Sequence, residues 1–174
     1  MLKNNRIEIF DSTLRDGAQG EGINFSPEDK LAVACALDNF GVKYIEAGNP
    51  GSNPKDAQFF ESCARHKFKH AEIVAFGATR RKNIRPDADA NIQSLLRAAF
   101  NTVAVFGKAW DLHVTDILNA PLSENLAMIE ESAAYLISHG MAVYFDAEHF
   151  FDGYREEPAY ALEALRAAAQ RRPQ

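Results

Sequence analysis

The sequence has little excess positive charge, few cysteines and no long apolar run, and each shortage excludes a class of protein. With 19 lysines and arginines against 24 acidic residues, the net charge of −5 argues against a general nucleic-acid binder or a protein that docks on anionic membranes. No segment reaches membrane-spanning length, and the first residues lack the apolar region of a signal peptide. These absences predict a cytoplasmic protein with neither nucleic acid nor membrane as a partner.

The two cysteines, Cys35 and Cys63, lack the spacing of a zinc site. Each falls in a segment with helical spacing of apolar residues, so both are predicted to be buried, reduced thiols. Long linkers and low-complexity stretches are absent as well. A chain of 174 residues with 47% hydrophobic composition has room for one domain with a substantial core, and not for two.

The sequence does contain a strand-then-helix pattern that repeats five times. The predicted strands cover residues 7–10, 43–47, 73–76, 102–106 and 141–145. Such repetition favours parallel strands joined by right-handed crossovers. A whole (β/α)8 barrel needs about 250 residues. We therefore expect an α/β fold of the TIM-barrel family with about five units present, so that residues 1–174 form the N-terminal part of a single catalytic barrel domain.

Local signals predict where helices begin and end. Ser26 is expected to cap the first helix, with Pro27 as its first residue and Gly41 at its end. Ser123 is expected to cap the fourth helix, and Pro158 to begin the fifth. The predicted core face of the first helix consists of Leu31, Ala34, Leu37 and Phe40.

A polar loop follows the first strand and carries Asp11, Arg15, Asp16 and Gln19 around Gly17. Carboxylate oxygens bind hard cations, and arginine forks onto a carboxylate or an oxyanion. The loop therefore suits a site that holds a cation and an anionic substrate together. The alternative is an ordinary loop, in which the aspartates cap the backbone and pair with Arg15.

Polar side chains also follow the other predicted strands. They are Glu46 after the second strand, Thr79 and Arg80 after the third, Lys108 and His113 after the fourth, and Asp146, Glu148 and His149 after the fifth. In a β/α barrel the carboxyl ends of the strands open at one mouth, where catalytic groups gather. We expect these side chains and the loop around Arg15 to meet there, because unrelated surface charges would be spread over both ends.

Five stretches of the chain resemble one enzyme family, the DRE-TIM metallolyases. They are residues 11–19 (DSTLRDGAQ), 44–55 (YIEAGNPGSNPK), 76–81 (FGATRR), 105–114 (VFGKAWDLHV) and 144–153 (YFDAEHFFDG). The family contains isopropylmalate, homocitrate and citramalate synthases and hydroxymethylglutaryl-CoA lyase. The last four stretches are most similar to the citramalate synthase branch, and the similarity runs from about residue 7 to about residue 169.

This resemblance implies an acyltransferase that condenses acetyl-CoA with a 2-oxo acid, with pyruvate favoured and citramalate as the product. It implies a divalent metal, Mg²⁺, Mn²⁺ or Zn²⁺, with acetyl-CoA as co-substrate, and a metal-assisted condensation followed by thioester hydrolysis. We also expect a homo-oligomer, namely a dimer. The open alternatives are 2-isopropylmalate or homocitrate synthase, a lyase of the hydroxymethylglutaryl-CoA type, and a half-barrel assembly module without activity.

The resemblance also implies roles for individual residues. Asp16 matches the family's carboxylate ligand to the metal, and Arg15 matches the arginine that stabilises the enolate and substrate oxygens. Glu148 is expected to handle the proton, with Glu46 as a second catalytic acid. The expected substrate-binding residues are Gln19, His113, Tyr144 and Arg15.

Some residues have both a site role and a structural role open. Asp11 is expected to orient Arg15 or a metal-bound water rather than bind the metal directly. Lys108 and Arg80 either belong to the site or are solvated charges, and His149 either belongs to the site or caps the fifth helix. Packing in the core and at the mouth is expected for Phe145, Phe150 and Phe151.

One expected feature is missing from the sequence. Family members complete the metal site with a His-x-His pair, and none of the five histidines forms one: His66, His70, His113, His139 and His149. A single aspartate holds Mg²⁺ poorly, because this ion keeps its waters. The resemblance also fades at residues 170–174. We therefore expect the chain alone to be inactive or nearly so, with its last strand as an unpaired edge.

Overall fold

The computed structural model describes residues 7–169, in which strands and helices alternate as far as the fifth strand, which two helices follow. Their bounds are β1 Phe10–Asp11, α1 Pro27–Phe40, β2 Tyr44–Gly48, α2 Pro54–Ala64, β3 Glu72–Ala78, α3 Ala90–Leu96, β4 Thr102–Lys108, α4 Leu122–Ser138, β5 Ala142–Glu148, α5 Phe150–Glu156 and α6 Pro158–Ala169. A π turn covers His113–Ile117. In this part of the chain, no helix combines the length and the apolar character that crossing a membrane requires.

The strands form one parallel sheet in chain order, β1-β2-β3-β4-β5. The ring of Tyr144 in β5 lies 5.6 Å from the Phe10 ring of β1 and 5.2 Å from the Tyr44 ring of β2. In a flat sheet, β1 and β5 would be about 19 Å apart at the usual strand spacing. The sheet is therefore strongly curved into a half-barrel, and the predicted α/β fold with five parallel units is confirmed.

The two faces of the sheet have different neighbours. The convex face carries the alternate residues Ile45, Ile73 and Val103, which pack with the helices in the main core. The concave face carries Val74, Phe76 and Ala104 in a second buried cluster, with Tyr44 and Phe106 packed against it. Because paired residues of parallel strands point to the same side, the register also puts Asp146 beside Phe106 and Glu148 beside Lys108 on the concave face.

Helix α1 begins and ends as predicted, but its inner face is less apolar than predicted. Ser26 forms a capping box with Asp29, Pro27 is the first residue, and Gly41 ends the helix with φ of 90°. Phe40 was expected to face the core and is 82% exposed, so that prediction was wrong. The buried residues of α1 include Lys30 and Asp38, which are tolerated there because each has close polar partners.

The polar partners of Lys30 tie α1 to the end of β2. Its ammonium donates to Asp56 Oδ1 at 2.5 Å and to the Ala47 carbonyl at 3.1 Å. Gly48, with φ of 124°, lets this cluster approach the backbone, because a Cβ there would lie 2.8 Å from Asp56 Oδ2. The ion pair therefore fixes the chain two residues after Glu46.

Five further local predictions differ from the structure. Residues 7–9 are not in a strand, so β1 is shorter than predicted. Ser123 lies inside α4, whose cap position is Pro121, and the missed helix α5 precedes α6, which does begin at Pro158. Phe151 is 85% exposed instead of packed.

Cys35 and Cys63 are free thiols, as predicted, but only Cys63 is buried. The predicted departure from the family at residues 170–174 lies outside the described residues.

Candidate active site

An arginine–glutamate pair forms the centre of the mouth. The Arg15 Nε donates to Glu46 Oε2 at 2.7 Å, and Arg15 Nη1 lies 3.3 Å from Asp16 Oδ1. Three backbone amides that follow Ser12, those of Arg15, Asp16 and Gly17, donate to its carbonyl oxygen and wind the loop tightly. The loop after β1 thereby brings its guanidinium onto the carboxylate at the end of β2.

Arg15 is held from a second side by an aromatic ring. Its guanidinium carbon lies 4.0 Å from the centre of the Phe76 ring, which in turn stacks on Phe106 with centroids 5.1 Å apart. A cavity of about 410 Å³ opens beside Arg15 and is also lined by Gln19, Asn49 and Phe76. The free edge of the guanidinium can therefore meet a ligand oxygen in this cavity.

Two carboxyl groups at the mouth have raised pKa values. Burial raises the pKa of Glu46, which is 3% exposed, and the charges of Asp146 and Asp16 add to this against the opposing effect of Arg15. Burial likewise raises the pKa of Asp146, with a further contribution from the charge of Glu148. Each of these carboxyl groups is thus affected by charges from other strands, because Asp16, Glu46 and Asp146 lie near one another where β1, β2 and β5 end.

A lysine–glutamate pair forms the other side of the mouth. The Lys108 ammonium contacts Glu148 Oε2, linking the ends of β4 and β5. A second cavity, of about 420 Å³, reaches Lys108 and is walled by Phe106, Leu118 and Met128. The stacked pair Phe76–Phe106 lies between the two cavities, because one ring lines each.

Two histidines and a tryptophan lie next to this pair. The His113 ring is 4.6 Å from the Trp110 ring and 4.5 Å from the His149 ring, centre to centre. Burial lowers the pKa of His113, and the positive charges of His149 and Lys108 lower it further. Its buried Nδ1 has no hydrogen-bond partner among the described residues.

The remaining predicted site residues lie in different settings. Gln19 is exposed on the rim of the first cavity. Tyr144 points into the concave face, two residues before Asp146, and packs on Phe10 and Tyr44. It therefore lies deeper in the half-barrel than the carboxylates, and contact with its hydroxyl is the largest cause of the raised pKa of Tyr44.

Asp16 and Asp11 differ from what a formed metal site would require. The Asp16 side chain is 65% exposed with Arg15 as its partner, and Asp11 accepts from the Thr13 amide and hydroxyl rather than from Arg15. Between residues 7 and 169, no three His, Cys, Asp or Glu side chains are arranged to hold a metal ion. The described residues thus supply one exposed carboxylate at Asp16 and not a complete ligand set.

Arg80 is part of the framework and not a solvated charge. It is 4% exposed and donates to Glu124 and Glu131, both at 2.7 Å, while its backbone amide donates to Ser132. These contacts tie the loop after β3 to α4. The solvated alternative is wrong for Lys108 as well, because this residue is paired with Glu148.

Comparisons with known proteins identify the family. The family model HMGL-like matches residues 6–172, nearly the whole chain. The chain belongs to the HMGL-like family. The resemblance to citramalate and isopropylmalate synthases is also confirmed. Residues of this HMGL-like chain are 52% identical over 163 positions to the (R)-citramalate synthase of Aquifex aeolicus, covering 94% of the chain and 31% of that protein.

A more distant relative agrees with this assignment, and a solved structure agrees with the fold. A 2-isopropylmalate synthase of Solidesulfovibrio magneticus is 32% identical over 168 residues, covering 97% of this HMGL-like chain and 31% of that protein. The hydroxymethylglutaryl-CoA lyase of Pseudomonas aeruginosa superposes with a TM-score of 0.70 at 20% identity, over 95% of this chain and 54% of that one, which supports the fold alone. The chain thus spans about a third of the length of the curated relatives it matches.

Sequence reasoning gave no role to one carboxylate of this HMGL-like site. Asp146 was noted only as a residue at the end of the fifth strand. The spacing in the sequence indicates a site position for Asp146, because Asp146 and Glu148 are two residues apart in the strand and therefore share a face. Their register with Phe106 and Lys108 makes that face the concave one.

Proposed function

We propose that residues 1–174 are the N-terminal part of the catalytic barrel of an acyltransferase that condenses acetyl-CoA with pyruvate to give citramalate. The observation that carries this proposal is the meeting of Arg15, Glu46, Asp146 and Glu148 at one mouth. The 52% identity to a citramalate synthase supports pyruvate over longer 2-oxo acids. We further propose that the whole protein works as a homodimer.

The proposed reaction needs a base, an oxyanion-binding group and room for two substrates. Glu148 takes a proton from the methyl group of acetyl-CoA, with Lys108 beside it to orient the carboxylate. The resulting enolate carbon bonds to the ketone carbon of pyruvate, whose oxygen gains the negative charge. Arg15 donates hydrogen bonds to that oxygen, which then takes the proton from Glu148 and becomes a hydroxyl group. Water next attacks the thioester carbonyl carbon and the C–S bond breaks, so that the carbon keeps the hydroxyl of water and the CoA sulfur leaves with its other proton. Two cavities of about 410 and 420 Å³ flank these groups and give room for the two substrates.

The other proposed site residues prepare this arrangement. Glu46 anchors Arg15 through its 2.7 Å hydrogen bond, so that the guanidinium presents its free nitrogens to substrate. Asp146 is proposed to share a proton with its neighbouring carboxylates, since its raised pKa favours the neutral acid. Gln19 and His113 are proposed to contact the 2-oxo acid, and Tyr144 to close the pocket for its methyl group from below.

A divalent metal would polarise the ketone in the complete enzyme. Asp16 is proposed as its ligand from this chain. The described residues do not fit a resident ion on their own, because they offer one exposed carboxylate. No step above therefore depends on the metal.

A chimera tests the proposal with the residues of this chain in a complete barrel. Residues 7–169 replace the matching segment of the Aquifex aeolicus (R)-citramalate synthase, and release of free CoA from acetyl-CoA is measured with pyruvate or 2-oxoisovalerate. We expect pyruvate-dependent release, and little or none from the 174-residue chain alone. A folded chimera that releases CoA with 2-oxoisovalerate only would favour the isopropylmalate alternative.

Two other results would contradict the proposal. A folded chimera that cleaves a hydroxyacyl-CoA to acetyl-CoA, but does not condense, would favour the lyase. Concentration-dependent self-association of the 174-residue chain, visible by light scattering, together with an inactive chimera, would favour an assembly module.

A further inference from the structure

One aromatic cluster at the mouth contains a residue to which the proposed reaction gives no role. The cluster consists of Trp110, His113 and His149, with His113 and His149 edge to face at 74° and centroids 4.5 Å apart. Trp110 covers the other side of His113 at 4.6 Å. The His113 ring is therefore held between two aromatic neighbours from the loops after β4 and β5.

The backbone of His149 adopts a conformation that only a few non-glycine residues adopt. Its φ and ψ of 55° and 31° are left-handed, at the point where β5 turns into α5. Such a strained conformation persists where surrounding contacts hold it. Here the contacts are the ring packing on His113 and the Asp152 carboxylate, 3.8 Å from His149 Nδ1.

The His113 ring ends in an unused polar atom. Its Nδ1 is buried without a partner, although the residue as a whole is half-buried beside Lys108 and Glu148. A buried ring nitrogen without a hydrogen bond is costly, and in native proteins such an atom is completed by water or an ion, or serves a catalytic role. The charged and titratable groups that face His113 are His149, Lys108, Glu148 and Asp152.

We propose that His149 is a positioning residue, whose imidazole fixes the His113 ring so that its Nδ1 meets an oxygen of the 2-oxo acid. This inference rests on the proposed function, which puts His113 against that substrate. His149 acts through ring packing and, when protonated, by keeping His113 neutral. A neutral ring can exchange one hydrogen bond with substrate and adds no positive charge beside Lys108.

The 174-residue chain contains one tryptophan, which makes the cluster directly observable. Trp110 emission is followed from pH 4.5 to pH 8, because a protonated imidazole 4.6 Å away quenches indole fluorescence when His113 titrates. Imidazole resonances and the His113–Trp110 nuclear Overhauser effect are measured by NMR, with and without pyruvate. The variants are His149→Ala, which removes the ring, and His149→Phe, which keeps a ring without nitrogens. His70→Phe, an exposed histidine outside the mouth, is the matched control.

In the wild-type chain we expect pyruvate to shift the His113 resonances. His149→Phe should raise the His113 midpoint by about half a pH unit while keeping the Overhauser effect, because a positive neighbour is lost. His149→Ala should weaken the Overhauser effect. It should also raise, by about tenfold, the pyruvate concentration at which the His113 resonances have shifted halfway. His70→Phe should change neither.

Two outcomes separate the failure of this inference from that of the proposed function. If folded His149→Ala and His149→Phe leave the midpoint, the Overhauser effect and the pyruvate response unchanged, His149 does not position His113. If pyruvate shifts no His113 resonance in the wild-type chain while both variants still alter the ring signals, the substrate role of His113 is overturned and the ring-holding role of His149 is supported.

Discussion

The two ends of the half-barrel treat buried carboxylates in opposite ways. At the amino-terminal end of the strands, Asp38 is 3% exposed and accepts hydrogen bonds from the backbone amides of Lys69, His70 and Ala71, at 2.7 to 3.1 Å. Burial opposes ionisation there, but these amides win and lower the pKa of Asp38. At the mouth, burial wins and raises the pKa values of Glu46 and Asp146.

The difference separates a structural carboxylate from carboxylates available for chemistry. The charge of Asp38 is stabilised by donors that belong to the backbone of the loop before β3. Among residues 7–169, Asp146 has no comparable set of donors, and Glu46 shares its partner Arg15 with the cavity. Groups at the mouth are therefore poised to exchange protons or partners. The carboxylate at the amino-terminal end of the strands, which we call the base of the half-barrel, is fixed.

The largest expected effect is on activity, at Arg15. In the chimera, Arg15→Gln should lower kcat by roughly 10³-fold, because it removes the donors to the developing oxyanion. Arg15→Lys keeps the charge but not the fork, and should recover a small part of the rate. Steady-state CoA release measures both, with Arg65→Gln on the exposed end of α2 as the control. Near-normal activity of a folded Arg15→Gln chimera would remove the mouth as the reaction centre.

The next effect is on stability, at the base. Asp38→Ala should lower the free energy of unfolding by about 3 kcal/mol, because several backbone amides lose a charged acceptor. Since the folded pKa of Asp38 is lowered, its contribution is present above the unfolded value near ~3.9 and is lost as the pH falls through the folded pKa. Urea unfolding at pH 7 and pH 3 checks both points. A loss equal at the two pH values would contradict the charge argument.

A smaller effect of opposite sign is expected at Asp146. Because its folded pKa is raised, ionisation at neutral pH costs folding free energy, and the stabilising contribution of the acid form is lost as the pH rises through the folded pKa. Asp146→Asn should therefore raise the free energy of unfolding at pH 7 by about 1 kcal/mol, and the gain should vanish near pH ~4. Urea titrations of the 174-residue chain measure it. A destabilised Asp146→Asn variant would show that this end is built for stability like the base.

The sequence allowed the mouth to be predicted better than the base. The strand-then-helix order and the polar residues after each strand predicted that Arg15, Glu46 and Glu148 meet, because parallel strands bring their carboxyl ends together. Asp38 could not be predicted, since its partners are backbone amides more than 30 residues away and carry no side-chain signature. The orientation of Tyr144 could not be predicted either, because strand bounds uncertain by one residue reverse the face.

The geometry of His149 also lay beyond the sequence. A left-handed backbone at a histidine has no local signal comparable to a glycine, and the missed helix α5 that follows it is only 7 residues long. Periodicity does not detect so short a helix. The contact between His113 and His149 therefore required coordinates, although each residue had been placed at the mouth separately.

The smallest expected effect tests whether surface ion pairs contribute to the stability of the base. Lys43 pairs with Glu72 there, and this contact is the largest cause of the lowered pKa of Glu72, although the two side chains are 32% and 46% exposed. Solvent screens such a pair, so Lys43→Met should change the free energy of unfolding by no more than about 0.5 kcal/mol. Because Glu72 keeps the Thr102 hydroxyl at 3.1 Å, little of its hydrogen bonding is lost. Urea unfolding at low and high salt measures the change. A loss as large as that of Asp38→Ala would mean that ion pairs, rather than a buried carboxylate that accepts from backbone amides, stabilise this end of the half-barrel.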